Sequence, residues 1–195
     1  MPFLERKRQS VQVRGPALGL IETSSIARGL VVADAMVKRS PVQLLLVRPI
    51  SPGKHVVLVS GDVAEVDEAM RAGIEAAGTT LVDKLELSQA ATLLLGALGG
   101  AFTEAREALG IIETNSVASS LQAADAACKA AAVNLAELRL ADGLGGKGYF
   151  IVAGDQADVE AALHAAATSI APELLHSREL IARPHADLLP RLKVS

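Results

Sequence analysis

The chain has 195 residues, of which half are apolar and only four are aromatic, and its formal net charge is −3. Nucleic-acid binding rests on clustered basic side chains and stacking aromatics, so this composition, which lacks tryptophan, argues against a nucleic-acid partner. The longest apolar run, residues 90–102, is shorter than the roughly 20 apolar residues that span a bilayer, so we expect no membrane partner.

The cysteine content and the first residues bear on the compartment. Cys128 is the single cysteine and cannot form an internal disulfide, which suits a reducing environment. Residues 1–8 lead into a polar stretch and lack the apolar core of a signal peptide. We therefore expect a cytoplasmic protein.

The first half of the chain predicts a strand, a helix, a hairpin, a second helix and a last strand. Ser24 and Ser25 can cap the first helix, and Asp62 with Glu65 forms a capping box for the second. The buried face of the second helix is predicted to hold Val63, Val66, Ala69, Met70 and Ile74. The predicted elements are strands over residues 18–22, 42–50, 55–59 and 79–87, a helix over 26–39 and a helix that starts at Asp62.

The second half predicts the same order again. Its elements are strands over residues 109–113, 135–140, 149–152 and 174–181, a helix over 117–131 and a helix that starts at Asp155. The order β-α-β-β-α-β in each half is the ferredoxin-like arrangement, an antiparallel sheet with two helices on one face. The fold class is therefore α+β.

The two halves are copies of one another. Of the 22 pairs from Ala17/Ala108 to Lys38/Lys129, 13 are identical at an offset of 91. A second block, residues 53–66, returns at an offset of 93. A repeat of about 90 residues can hold a small core of its own, so we predict a tandem domain duplication.

The repeat boundaries divide the chain into four parts. Residues 1–15 carry four basic side chains and are predicted to be a flexible arm. The first domain is assigned to residues 16–90, a linker rich in Ala, Leu and Gly to 91–107, and the second domain to 108–195.

Several motifs of the first half recur in the second. They are Leu18-Gly19-Leu20-Ile21-Glu22-Thr23, Ala33-Asp34-Ala35-Met36-Val37-Lys38, Pro52-Gly53-Lys54 and Gly61-Asp62-Val63-Ala64-Glu65-Val66, and the chain closes with Arg183-Pro184-His185. Together these motifs resemble the bacterial microcompartment (BMC) shell domain. The chain thus resembles the tandem-domain shell proteins, and it is similar to their iron–sulfur branch from propanediol utilisation. It departs from that branch at Ser51, where the relatives have a cysteine.

The resemblance implies a structural shell protein and not an enzyme. Three chains would form a pseudohexameric homotrimer that tiles the shell facet beside other hexamers and pentamers, around encapsulated enzymes. It also implies site residues. The hairpin loops would line a central pore for small polar metabolites, and other residues would form the edge contacts between tiles. The implied pore residues are Ser51, Pro52, Gly53, Lys54, Leu144, Gly145, Gly146 and Lys147, and the implied edge residues are Lys38, Lys129 and Arg183.

No cofactor or metal is expected. Gly143 to Gly148 fits the dinucleotide pattern G-x-G-x-x-G, but a strand and not a helix is predicted to follow it. The four histidines lack metal-ligand spacing, and Cys128 is predicted to be a buried, inert thiol. Glu22 and Glu113 are expected to accept hydrogen bonds from the turn that follows each strand. Two alternative functions stay open: a shell protein that conducts electrons or a cofactor, and a trimeric ligand-sensing regulator.

Overall fold

The computed structural model describes residues 12–102, 107–141 and 143–192. The predicted arm over residues 1–15 lies mostly outside them. Its described part contacts the first domain, where the Arg14 guanidinium lies 2.8 Å from Glu65 Oε1 and the Arg14 backbone N–H donates to Gln43 Oε1. The four boundaries given above stay a prediction.

The chain forms two copies of one β-α-β-β-α-β unit with a short helix between them. The strands are β1 (Ala17–Thr23), β2 (Gln43–Ile50), β3 (Lys54–Gly61), β4 (Leu81–Leu87), β5 (Ala108–Thr114), β6 (Asn134–Leu140), β7 (Gly148–Gly154) and β8 (Leu175–Ile181). The α-helices are α1 (Ile26–Arg39), α2 (Val63–Ala77), α3 (Thr92–Leu98), α4 (Val117–Ala130) and α5 (Gln156–Ser169). None of the described helices is long and apolar enough to cross a membrane.

Each unit has one four-stranded antiparallel sheet, in the order β2-β3-β1-β4 and β6-β7-β5-β8. The two registers correspond, because Leu18 pairs with Leu87 in the first sheet and Leu109 pairs with Ile181 in the second. This is the predicted ferredoxin-like arrangement, and the duplication extends to the pairing of individual residues.

The helix starts follow the predicted capping. The Ser25 hydroxyl accepts from the Arg28 backbone N–H at the start of α1, and Asp62 with Glu65 forms the capping box of α2. The predicted buried face of α2 is wrong at Val63, which is 49% exposed. Val63 is the first residue of α2, and the buried face begins one turn later at Val66.

The segment predicted as a linker contains α3, which the sequence analysis missed. Its glycines and Thr92 interrupt the apolar run, yet Ala and Leu are strong helix formers and dominate residues 92–98. Leu94 is fully buried in a core that also holds residues of both domains. Tertiary burial therefore stabilises a helix that is too short to persist alone.

The first sheet is buried on both faces. One face holds Ile21 and Val57 and packs on α1 and α2 through Met36 and Met70. The opposite face holds Leu18, Leu20, Val56 and Leu58, which belong to one continuous core with α3, α4 and the helix-covered face of the second sheet. The other face of the second sheet has a smaller cluster around Leu109 and Ile151, covered by Leu189 and Leu192. The two domains therefore share a core, although each has its own sheet.

The two copies solve one packing problem in opposite ways. In the first domain His55 is buried against α1 at Gly29, where an added Cβ would lie 2.3 Å from His55 Nδ1. In the second domain the corresponding residues are Gly148 and Ser120, and a Cβ on Gly148 would lie 2.1 Å from Ser120 Oγ. In the first domain the strand carries the large side chain, His55, and the helix carries glycine. In the second domain the strand carries glycine, and the helix carries Ser120.

This exchange predicts a compensated double mutant. Gly29→Ser alone should lower the free energy of unfolding by about 2 kcal/mol, because the new side chain overpacks His55. His55→Gly alone should also destabilise, because it leaves a cavity. The double mutant reproduces the pair of the second domain and should lose clearly less than the sum of the two single changes. Denaturant unfolding of the four proteins measures this coupling, and strictly additive losses would contradict it.

Candidate functional site

The junction between the domains is built on the first turn of α4. Ser116 caps this helix, and its hydroxyl donates to Asp83 Oδ2 on β4 over 2.6 Å. The backbone N–H of Ala118 donates to Glu22 Oε1 on β1 over 2.9 Å. Two acids of the first domain therefore lie at the positive end of a helix of the second domain, where negative charge is favourable.

Glu22 is fully buried at this junction, and Lys54 Nζ lies 3.6 Å from its second carboxylate oxygen. Burial raises the pKa of the Glu22 carboxyl above its ordinary value, and the nearby Asp83 charge adds to this rise. The Ala118 N–H and Lys54 lower the pKa without cancelling the effect of burial. The expectation for Glu22 was right in kind, since it accepts a backbone hydrogen bond, but the donor belongs to the other domain and not to the following turn.

A second polar contact of the junction holds the start of α3. Asp125 Oδ1 accepts from the Ala91 backbone N–H over 2.7 Å, and Asp125 Oδ2 lies 2.5 Å from Lys129 Nζ. Lys129 also donates to the Gln89 carbonyl over 2.5 Å. The Asp125 carboxylate and the Lys129 ammonium group thus bind the backbone on both sides of residue 90.

The two predicted pore loops lie side by side. A Cβ on Gly146 would lie 2.7 Å from the Ser51 carbonyl oxygen, so the backbones touch at a position where Gly146 has a φ of 88°. Only glycine adopts this conformation easily and also admits such an approach. Arg48, which precedes the first loop, donates to the Leu140 carbonyl before the second.

The lysines of these loops are paired with acids. Lys54 pairs with Glu22, as described, and Lys147 Nζ lies 2.9 Å from Glu113 Oε1. Lys147 is also 2.8 Å from His176 Nε2. The positive charges of these two lysines are therefore balanced within the chain.

The three predicted edge residues lie apart from these loops. Lys38 stands near the end of α1 and pairs with Asp34 at 2.6 Å, with 74% of the Lys38 side chain exposed. Lys129 is the corresponding residue of α4 and makes the junction contacts given above. Arg183 is exposed and follows β8.

The described residues offer no donor set for an iron–sulfur cluster. Cluster ligation uses thiolates, whereas burial raises the pKa of Cys128 to about 12 and keeps that thiol protonated. Within the described ranges no group of three His, Cys, Asp or Glu side chains could hold a metal ion. The glycine-rich loop leads into β7 and not into a helix, so it lacks the helix N-terminus that a dinucleotide site requires.

The junction acids were missed as a site by sequence reasoning. The sequence shows that Glu22, Asp34 and Lys38 recur as Glu113, Asp125 and Lys129. This repetition was a usable signal for a shared structural role. It could not identify the partners, which lie 34 to 96 residues away along the chain.

Comparison with known proteins places the chain in a family. The BMC domain family model matches residues 17–90 and 108–184. A bacterial microcompartment shell protein, PduT of Citrobacter freundii, is 42% identical over 174 residues, which cover 88% of this chain and 95% of that protein. A carboxysome shell protein of Synechocystis sp. is 44% identical over 61 residues, which cover 31% of this chain and 59% of that protein.

Solved structures give the same picture. The crystal structure of a microcompartment protein from Desulfitobacterium hafniense matches with a TM-score of 0.82 and 40% identity, covering 90% of this chain and 98% of that one. A fused, permuted hexameric shell protein of the RMM microcompartment matches with a TM-score of 0.61 at 19% identity, covering 79% and 84%. The second likeness concerns the fold alone.

The buried carboxyl at the junction predicts a pH-dependent stability. A carboxyl group with a raised pKa in the folded state contributes stability that is full below its unfolded pKa and is lost as the pH rises through its folded pKa. Glu22→Gln removes this titration and keeps an acceptor for the Ala118 N–H. The free energy of unfolding of the wild type, relative to Glu22→Gln, should therefore fall as the pH rises from about 4.5. Urea unfolding between about pH 4 and pH 8, at fixed protein concentration, measures the difference, and parallel curves would contradict the assignment.

Proposed function

The chain belongs to the BMC domain family, in two tandem copies, and we propose that it works as a pseudohexameric homotrimer that tiles the facet of a bacterial microcompartment shell. It is a structural shell protein and not an enzyme. The trimer, the pore residues and the edge residues are the parts of this proposal that go beyond family membership.

The main support for the trimer is that two equivalent helices, α1 and α4, are buried to different extents. On α4, Val117 and Leu121 are 0% exposed, because that face packs against the first domain. The equivalent residues of α1 are Ile26 and Leu30, which are 43% and 56% exposed. A face built for burial therefore lies open on the first domain, and a second chain can cover it.

The polar partners of such a contact are also duplicated. Glu113 and Arg139 occupy on the second domain the places that Glu22 and Arg48 occupy on the first. Glu113 is about one-third exposed, whereas Glu22 is fully buried against α4. By analogy with the internal junction, Glu113 would accept from the Ala27 N–H of a partner chain.

Repetition of one junction produces a ring. The contact between the domains is head to tail, since the sheet of the first domain receives a helix of the second. A head-to-tail contact that closes generates a cyclic oligomer. A ring of six such domains requires three chains, since each chain contributes two. Around the ring, the junction within a chain alternates with the proposed junction between chains.

The loops favour a pore at the centre of this ring. Ser51 to Lys54 and Leu144 to Lys147 already meet within one chain, and threefold repetition would bring six such loops together. The Ser51 hydroxyl can donate and accept hydrogen bonds, and Lys54 and Lys147 are balanced by glutamates. This combination favours small polar metabolites over strongly charged ones.

The edge assignment concerns the outer rim of the ring. Lys38, Lys129 and Arg183 lie apart from the loops proposed to line the pore and remain at least partly exposed. We assign the exposed parts of these side chains to contacts with neighbouring shell tiles. Hexameric and pentameric shell proteins are the proposed partners at these edges.

The helix comparison predicts a specific loss of the trimer. Leu30→Asp should shift the protein to monomers at micromolar concentration, because each junction would then bury an unpaired carboxylate. Val31→Asp is the matched control. Val31 is also exposed, at 48%, but its equivalent, Gln122, is exposed at the internal junction, so that variant should stay trimeric. Native mass spectrometry distinguishes the outcomes, and a monomeric wild type or a trimeric Leu30→Asp variant would contradict the proposal.

The loop assignment predicts a gain of function at position 51. The anaerobically purified wild type should contain no stoichiometric iron, because a serine hydroxyl is a poor ligand for a cluster. Ser51→Cys, reconstituted with iron and sulfide, should bind iron and show the brown absorbance of a cluster, because three thiolates would meet on the axis. Thr168→Cys adds an exposed thiol on α5 as a control and should bind none. If Ser51→Cys stays empty, position 51 does not converge on the axis.

A further inference from the structure

Asp125 and Lys129, which bind the backbone before α3, have equivalents in the first domain. In the second domain the carboxylate accepts from the Ala91 N–H and the ammonium group donates to the Gln89 carbonyl. In the first domain Asp34 and Lys38 form the same ion pair at the same spacing. Within the described ranges, Asp34 accepts a hydrogen bond only from Lys38.

Burial separates the two copies. The Asp125 side chain is 8% exposed, whereas the Asp34 side chain is 58% exposed. The contacts of Asp125 and Lys129 therefore indicate which ligand suits Asp34 and Lys38. It is a stretch of backbone with a free N–H two residues after a free carbonyl. Such a ligand is a peptide segment, and the strand register identifies which one.

The equivalent segment follows β8. Because Leu87 and Ile181 hold the same register position in their sheets, Gln89 corresponds to Arg183 and Ala91 to His185. The backbone shape is the same in both places, with two bends directly after the strand. Arg183 therefore supplies the equivalent carbonyl and His185 the equivalent N–H.

We propose that Asp34 and Lys38 form a clamp for the backbone of Arg183 to His185 of a second copy of this chain. Asp34 accepts from the N–H of His185 of the partner subunit, and Lys38 donates to the carbonyl of Arg183 of the partner subunit. This inference rests on the proposed trimer, since the ring places the end of β8 of one chain beside α1 of the next. The clamp positions the segment that carries Arg183, so the two proposed edge residues become coupled.

The C-terminal segment depends on this clamp more than its internal counterpart does. Ala90 donates its N–H to the Pro16 carbonyl over 2.8 Å and thereby fixes the internal segment a second time. The corresponding residue is Pro184, which has no N–H. Loss of the clamp should therefore release residues 183–185, which lack the hydrogen bond that Ala90 makes.

Hydrogen exchange of the full-length trimer tests the clamp. The His185 amide should exchange at least about tenfold more slowly in the wild-type trimer than in Asp34→Ala or in the monomeric Leu30→Asp variant. The Ala91 amide is the internal reference and should stay protected in all three proteins, because its acceptor lies in the same chain. Equal exchange of His185 in the wild-type trimer and in Asp34→Ala would overturn the clamp.

Trimer dissociation gives a second, independent measurement. Lys38→Ala should raise the trimer dissociation constant by about tenfold or more, because it removes a charge-assisted hydrogen bond from each junction between chains. Lys129→Ala is the matched control and should leave this constant unchanged, since its contact is within one chain. If Lys38→Ala changes the dissociation constant no more than Lys129→Ala does, the clamp is overturned and the trimer stands. A monomeric wild type overturns both.

Discussion

The capping of α4 by acids of the other domain is the interaction on which the rest of the structure depends. Glu22 and Asp83 stand on the central and edge strands of the first sheet and meet the first turn of a helix that belongs to the second. Because the same sheet face is apolar, the helix must cover it for Leu18 and Leu20 to be buried. Polar capping fixes the position of the helix, and apolar burial supplies most of the stabilisation.

Because the domain is duplicated, each chain carries the two surfaces of this junction twice. One chain satisfies the junction once and leaves a complementary half at each end: α1 on the first domain and the sheet with Glu113 on the second. The halves are unequal, since Asp83 is replaced by Ser177 and Val82 by His176 at the equivalent register positions. A fused pair of domains can therefore diverge at alternate junctions, which a hexamer of identical domains cannot do.

The charged residues near the loops also show why single-residue readings mislead. Lys54 and Lys147 look like free positive charges in the sequence, but each is paired with the glutamate that ends the neighbouring strand. Glu22 also accepts from the first turn of α4 at the junction between the domains, and we propose the equivalent role for Glu113. In the first domain the loop lysine, the strand end and the junction are thus parts of one connected network.

The sequence by itself determined the local structure and the family. Caps at Ser25 and Asp62 and short apolar runs predict the β-α-β-β-α-β order, because these signals act over a few residues, and the 91-residue repeat assigns that order to both halves. Local signals do not reach across domains. Only the tertiary structure decided that Glu22 accepts from Ala118, that residues 92–98 form a helix and that Val63 is exposed. Each of these depends on which surfaces meet, and the junction buries groups that lie up to 96 residues apart.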